Sequence, residues 1–443
     1  MKFDGEQIAA ATGGRLVRTA PAGPILTDTR KLEPGAWFLA IVGEQFDGHA
    51  FIARAADAGA SGAILREDPG DAWTGGLVLV LDTNVAFADL GRAAGERLQG
   101  PIVAITGSSG KTTTRALIAL ALSPLGDVHQ TFGVPMTLLA APVDAAASVV
   151  ELGTSSPGEI AHLCDIVRPQ HRVVVNVGPA HLEELGGLAG VAAEKGALFD
   201  RAVAGDVNYL NVDDPHLKAW PAPDGVEIVR WGRDSSADLR LMEARIDPKK
   251  FTTHGRYLTP AGEVHVRYPA LGTHIALDGA AALAVAHTLG VDLVEAARAM
   301  GQYEPVGMRQ RVEQLPGGVI AINDAYNANP ASMAASLESL AVLGGRRVAV
   351  LGDMLELGES SHRLHIGVVA LALSLKLDLV VAVGERMTAA SPGVVWTSPS
   401  VEGVAERLAE WLKPGDRVLV KGSRGVHMEQ ILHDLRATHV EVP

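Results

Sequence analysis

Apolar and polar positions fall into two recurring patterns along the chain. Short runs rich in Val, Ile, Leu and Ala, closed by glycine or by polar residues, read as buried strands. Between them lie longer amphipathic or Ala-rich stretches that read as helices. In order, the pattern predicts a helix over Gly5–Thr12, a strand ending at Ile25-Leu26 and a strand over Ala36–Val42. A helix over Phe51–Ala58, stopped by Gly59, and a strand from Gly62 to Leu65 follow. Beyond about residue 99, strands and helices alternate as a parallel sheet requires: Pro101–Ile105, then Thr113–Leu122, then Ala147–Glu151, then a strand from Val173 running toward His181. Asn211–Asp214 close another strand, and Val226 to about Tyr268 reads as a polar meander. Asp278–Leu289 is an Ala-rich helix suited to close packing. Tyr303–Arg309 break the pattern. After them come strands at Val319–Asn323, Arg347–Leu351, Leu379–Val383 and Arg417–Val420, with a helix over Ser332–Leu340. The expectation is an α/β protein of three domains. Residues 1–98 form a small α/β domain, 99–305 a central parallel sheet carrying a phosphate loop, and 306–443 a Rossmann-like domain without a dinucleotide glycine fingerprint.

The strongest chemical signal is Ala104-Ile-Thr-Gly-Ser-Ser-Gly-Lys-Thr-Thr-Thr114. A strand that turns through Gly107, Ser108, Ser109 and Gly110 into a helix aims several backbone N–H groups at one spot. The helix dipole adds to the attraction for phosphate. Lys111 can reach outer phosphates, and the hydroxyl of Thr112 can sit on Mg²⁺. This predicts handling of a nucleoside triphosphate. Other strand ends leave alternatives open. Glu151 can hold Mg²⁺, directly or through water, or be a solvated charge. His181 is a ligand or a structural histidine. Thr27, Asp28, Thr29 and Arg30 hold a nucleotide-like ligand or form a solvated turn. Lys195, by pattern alone, is an ordinary helix-surface lysine.

Composition narrows the class. Across 443 residues the net charge is −13, which argues against a general nucleic-acid binder, because backbone phosphates need clustered Lys and Arg. The single cysteine, Cys164, excludes an internal disulfide and a multi-thiolate zinc site. The acidic start Met1–Glu6 lacks the apolar core of a signal peptide, and no apolar run is long enough for a bilayer. The expectation is a soluble, cytoplasmic protein without membrane insertion.

Read together, the motifs resemble the Mur ligase family over essentially the whole length. They are Thr-Asp-Thr-Arg at 27–30, Phe-Asp-Gly-His at 46–49, the phosphate loop, Gly-Val-Pro-Met-Thr-Leu-Leu at 133–139, Glu-Leu-Gly at 151–153, Pro-Gly-Glu-Ile at 157–160, Gly-Pro-Ala-His-Leu-Glu at 178–183 and Lys-Gly at 195–196. Asn-Asp-Ala-Tyr-Asn-Ala-Asn-Pro at 323–330, Gly-Asp-Met-Leu-Glu-Leu-Gly at 352–358 and Lys-Gly-Ser-Arg-Gly at 421–425 look like the MurF branch, which adds D-Ala-D-Ala to UDP-MurNAc-tripeptide.

The resemblance implies in-line phosphoryl transfer from ATP to a terminal carboxylate, then attack of the dipeptide amine on the acyl phosphate. It implies that Gly107 to Thr113, with Lys111, hold the ATP phosphates. Thr112 and Glu151 would hold one Mg²⁺ and His181 a second, with a carbamylated Lys195 as anionic ligand. Lys111, Lys195 and His181 are the implied catalytic set. Arg309 would reach a nucleotide phosphate, while Asp324, Tyr326 and Asn327 would meet nucleotide or amine. Thr27, Asp28, Thr29, Arg30, Asp47 and His49 would contact the UDP-sugar, with Arg424 also at the substrate. The implied partners are these small molecules, with no nucleic acid, and the implied state is a monomer. Three segments depart from the family pattern: His129–Phe132, Thr154–Ser156 and His274–Asp278, where Asp278 would substitute for an adenine-seating asparagine. A Mur-like ligase for another acid and amine, a non-catalytic relative and a small-molecule kinase are the alternatives.

Overall fold

The structure, a computed structural model, describes the whole chain except Glu44, Val395 and residues 439–443. It is an α/β protein built on sheets of five, nine and six strands. The chain forms two compact units. The first comprises Met1–Ala104, Gly126–Leu152 and Ile160–His171, and the second Ile105–Leu125, Gly153–Glu159 and everything from Arg172 onward. Among the described residues no helix is long and apolar enough to cross a membrane.

In the first unit the five-stranded sheet runs Arg15–Arg18, Gly76–Leu79, Gly62–Leu65, Trp37–Leu39, Ile25–Leu26, parallel except at the Arg15–Arg18 edge. Trp37 is fully buried at its centre. Gly62 makes room for it, since a methyl there would stand 2.3 Å from the indole. The predicted strand Ala36–Val42 shortens to Trp37–Leu39. Its end is drawn off by Asn84, whose amide bonds the Val42 N–H (3.2 Å) and C=O (2.8 Å). The predicted helix Phe51–Ala58 opens instead with a tight turn, Gly48–Phe51, capped by Asp47, and continues over Ile52–Asp57.

The nine-stranded sheet has the order Gly262–Tyr268, Thr252–Thr259, Leu239–Asp247, Glu227–Gly232, Val207–Asn211, His171–Val174, Ile102–Thr106, Ala147–Glu151, Val128–Phe132. All of Ile102–Thr106 is buried, as a strand covered on both faces must be. Removing Ile102, Val103 and Ile105 from water contributes about 1.5–3 kcal/mol apiece. The expected meander is present but not wholly antiparallel, because Glu227–Gly232 pairs in parallel with both neighbours. The predicted helix Asp278–Leu289 starts five residues earlier, at Thr273, where Gly272 (φ 109°) turns the chain in. Its alanines are buried on every side, so it packs as a core helix and not as an amphipathic one.

The six-stranded sheet runs Arg311–Leu315, Val319–Asp324, Arg417–Lys421, Arg347–Gly352, Leu379–Val383, Trp396–Ser398. Side chains alternate between two apolar layers: Val348 and Val350 enter one, Ala349 and Leu351 the other. Its register sets Asp324 beside Lys421 at the strand ends, which places two charges where ligands of open α/β sheets collect.

Candidate functional site

The site of the second unit is organised by the turn between Ile102–Thr106 and the helix Lys111–Leu122. That helix starts at Lys111, ahead of the predicted Thr113, because Gly110 takes φ 77° and enters the helix without a side-chain cap. Gly107 is also left-handed, at φ 154°. The turn is fixed from outside by Asn176, whose C=O accepts from the Ser108 N–H (3.0 Å) and whose Oδ1 accepts from the Ser109 N–H (3.0 Å). Ser108 Oγ donates to Gly178 C=O at 2.9 Å. Asp214 in turn accepts from the Val177 N–H at 2.7 Å. Lys111 is folded over the loop, its Nζ donating to Gly107 C=O at 2.8 Å. An uncapped helix N-terminus, two left-handed glycines and a lysine on one turn are the parts of an anion site of the kind that takes phosphate. Sequence reasoning missed Asn176; its place at the end of a strand beside the loop is the signal that could have found it.

Lys195 is not the surface lysine its pattern suggested. It is 1 % exposed on the helix Leu188–Asp200. Burial, reinforced by the positive charge of Lys111 and opposed by Glu194 and Glu159, lowers it from 10.5 to about 7. The helix has no clear apolar face, so periodicity could not tell an inward lysine from an outward one. Glu194, which sequence reasoning also missed, is 6 % exposed. Its carboxylate accepts from the Gly158 N–H (2.7 Å) and the Thr154 hydroxyl (3.1 Å), while Glu159 accepts from the N–H groups of Ser155 and Ser156. Two carboxylates therefore hold the short loop 154–158. His181 sits in a left-handed conformation (φ 53°), its Nδ1 2.7 Å from Glu356 Oε2. Burial lowers its pKa; Glu356 opposes this, and Lys195 and Lys111 add to it.

The C-terminal sheet brings its strand ends to the same unit. Asp324 is buried and accepts from Lys421 Nζ (2.7 Å), Ser336 Oγ (2.6 Å) and the Gln310 N–H (3.1 Å). Asp324, expected to meet nucleotide or amine, is thus tied to three groups of its own domain. Arg309 stacks on Tyr326 with its guanidinium carbon 3.6 Å from the ring centroid. Tyr326 and Asn327 are exposed, and Asn327 Oδ1 accepts from the Ala328 N–H. Arg424 is exposed and pairs with Glu429 at 2.7 Å. Asn329, absent from the predicted set, caps the helix Pro330–Ala341 with its Oδ1 and donates from Nδ2 to Ser108 C=O at 3.3 Å. Asp278, expected near adenine, lies buried under Gly110.

In the first unit, Asp28 caps the turn Thr29–Lys31 and pairs with Arg30 at 2.8 Å. The Arg30 hydrogen bonds hold its carboxyl well below the usual range. Asp47 accepts from His49 Nδ1 (2.6 Å) and from Arg66 (3.1 Å), while His49 Nε2 accepts from the Arg66 N–H. The His49 N–H groups lower the pKa of Asp47. Arg66 thus joins the predicted pair as a third member. Glu151 ends its strand half-buried in this unit.

Among the described residues no group of three or more His, Cys, Asp or Glu side chains is placed to hold a metal alone.

A buried strand, a glycine turn and an uncapped helix carrying a lysine define a phosphate-loop protein. Comparison makes the class specific. The model described as "Mur ligase middle domain" matches residues 105–286, "Mur ligase, glutamate ligase domain" matches 308–424 and "Mur ligase family, catalytic domain" matches 24–79. The chain belongs to the Mur ligase family. It is 34 % identical to the UDP-N-acetylmuramoyl-tripeptide–D-alanyl-D-alanine ligase of Escherichia coli K12 over 93 % of each chain. With that of Bacillus subtilis it shares 31 % over 93 % of this chain and 92 % of the other. Its fold matches MurF from Acinetobacter baumannii with a TM-score of 0.91 at 30 % identity over 99 % of both chains. MurF from Thermotoga maritima in complex with ADP gives 0.83 at 28 % identity, over 95 % of this chain and 98 % of that one.

Proposed function

We propose that this chain is an ATP-dependent ligase that adds D-Ala-D-Ala to UDP-MurNAc-tripeptide through an acyl phosphate, as a cytoplasmic monomer. The observation that carries the reading is the uncapped helix N-terminus at Lys111, with the Lys111 ammonium folded over the same turn. A carboxylate and a polyphosphate must meet in one place, and their repulsion requires concentrated positive charge there. The phosphate loop holds the outer phosphates, and Lys111 reaches them by leaving Gly107 C=O. Magnesium, when bound, would neutralise phosphate oxygens; in the second unit Thr112, His181 and Lys195 are the residues that would hold it. The carboxylate oxygen attacks the outer phosphorus in line, ADP leaves, and the dipeptide amine then displaces phosphate from the acyl carbon.

Lys195 fits a further step. With its pKa near 7, a large fraction is the neutral amine at neutral pH, the form that attacks CO₂ to give a carbamate and a released proton. The product is an anionic oxygen ligand where the sequence supplies only a cation. Enrichment with ¹³CO₂ would show a carbamate carbon in the NMR spectrum that Lys195→Met lacks.

In the first unit, Asp28, Arg30, Asp47, His49 and Arg66 form the group suited to the UDP-sugar, as part of an N-terminal domain spanning 1–98. ATP would lie on 99–305, and 306–443 would bring the amine and exclude water. Asn329, reaching Ser108, supports that last role. The test is phosphate release from ATP with UDP-MurNAc-tripeptide and D-Ala-D-Ala, together and separately. Turnover that needs both supports the reading. Turnover only with another acid or amine redirects it to a different Mur-like ligase, which the altered Thr154–Ser156 segment would accommodate.

A further inference from the structure

Asp278 occupies an unusual position for an acid. It lies on the core helix Thr273–Thr288, 4 % exposed, directly beneath the phosphate turn: a methyl placed on Gly110 would stand 3.2 Å from its Oδ1. Its Oδ2 is buried without a hydrogen-bond partner. The groups facing it come from four places. Thr114, on the phosphate-loop helix, offers a hydroxyl. Tyr257 and Tyr268 face it from neighbouring strands of the nine-stranded sheet, and Tyr303 from the segment after the helix Leu293–Met300.

None of these is a cation, and the tyrosines have little to give. Tyr257 donates its proton to Ala276 C=O (2.7 Å), so the 2.6 Å contact between the two hydroxyls uses the proton of Tyr268. Tyr303 is engaged with Thr113 and Val306. Among the described residues Asp278 has no ion-pair partner. A carboxylate in such a place loses its hydration with only the Thr114 hydroxyl to offset the loss, and the group keeps its proton instead.

We propose that Asp278 serves the phosphate turn as a neutral carboxylic acid, and that ionising it weakens the hold of the turn on polyphosphate. The inference rests on nucleotide binding at this turn. As a neutral acid, Asp278 supports Gly110 and leaves the positive end of the helix to the ligand. As a carboxylate it would sit behind the same N–H groups, use part of their potential and repel the incoming phosphates. Burial holds its pKa at about 8. Bound polyphosphate must raise that value further, so affinity falls as the pH passes through it.

ADP binding measured by calorimetry at pH 7 and pH 9.5, on the wild type and on Asp278→Asn, reads this out. The wild type is expected to lose roughly tenfold in affinity across the interval, about one pKa unit of coupling. Asp278→Asn, neutral at every pH, should lose less than about twofold, whatever its affinity at pH 7. Titrations of Lys195 and of other groups are common to both proteins and cancel in the comparison. Parallel pH dependences would overturn the inference. So would an infrared spectrum of the wild type at pH 7 lacking the C=O band of a protonated carboxyl that is sensitive to this residue. If the wild type bound no ADP at either pH, nucleotide binding at this turn would itself be refuted, and the inference with it.

Discussion

Replacing Lys421 by Met separates the two readings of Asp324. The sequence pattern made Asp324 a group facing nucleotide or amine; the structure makes it the centre of a buried tie. The two side chains are 3 % and 9 % exposed and 2.7 Å apart. Without the ammonium, the carboxylate keeps only the Ser336 hydroxyl and the Gln310 N–H. A buried pair broken on one side leaves an uncompensated charge, so Lys421→Met should destabilise the fold by about 3–5 kcal/mol. The double variant Lys421→Met with Asp324→Asn should recover most of that loss. An exposed pair gives the scale for comparison: breaking Arg424–Glu429, with the arginine 55 % exposed, should change stability by no more than about 1 kcal/mol. Urea unfolding followed by tryptophan fluorescence measures all four proteins. If Lys421→Met loses less than about 1 kcal/mol, or the double variant is no better than the single, the pair does not carry Asp324. A ligand-facing role would then return.

Glu194→Ala releases Gly158 and Thr154, so the KM for the acid substrate should rise about tenfold or more, roughly the 1–3 kcal/mol of an unpaired buried donor, with the KM for ATP moving much less. Steady-state kinetics with each substrate varied decides it, and equal rises in both would refute a local clamp. Lys195 is protonated in the unfolded chain up to about pH 10.5 but largely neutral in the fold above about 7. The unfolded state therefore binds more protons in that window. Unfolding free energy should rise with pH there by up to about 1.4 kcal/mol per unit, and Lys195→Met should remove that slope in denaturant titrations at several pH values. Gly196→Ala, on the same helix, would place a methyl 1.9 Å from the Trp220 ring, and a loss of about 1–3 kcal/mol is expected by thermal unfolding.

The strand pattern and the phosphate loop were legible because they rest on local physics. Ile102–Thr106 is apolar throughout, and Gly107 and Gly110 take the backbone angles that only glycine adopts readily. What escaped depends on distance in the fold. Lys195 read as a surface charge, and Glu194 drew no notice, because their helix has no clear apolar face, and only tertiary burial turns them inward. Asn176 and Asn329 look like ordinary loop and cap residues until the fold lays them against Ser108 and Ser109. Asp324 and Arg424 sit in motifs that look like binding segments, and the ion pairs they make with Lys421 and Glu429 could not be read from those motifs. Asp278 read as a helix-start residue, whereas Gly272 opens that helix a turn earlier and puts the acid in the core.

The central claim is that phosphoryl transfer occurs to a carboxylate held at the Lys111 turn. Turnover with a tripeptide substrate whose terminal carboxylate carries ¹⁸O tests it most directly, by mass spectrometry of the inorganic phosphate released. One labelled oxygen should pass to phosphate for each amide bond formed. Phosphate that carries no label while amide forms would contradict it.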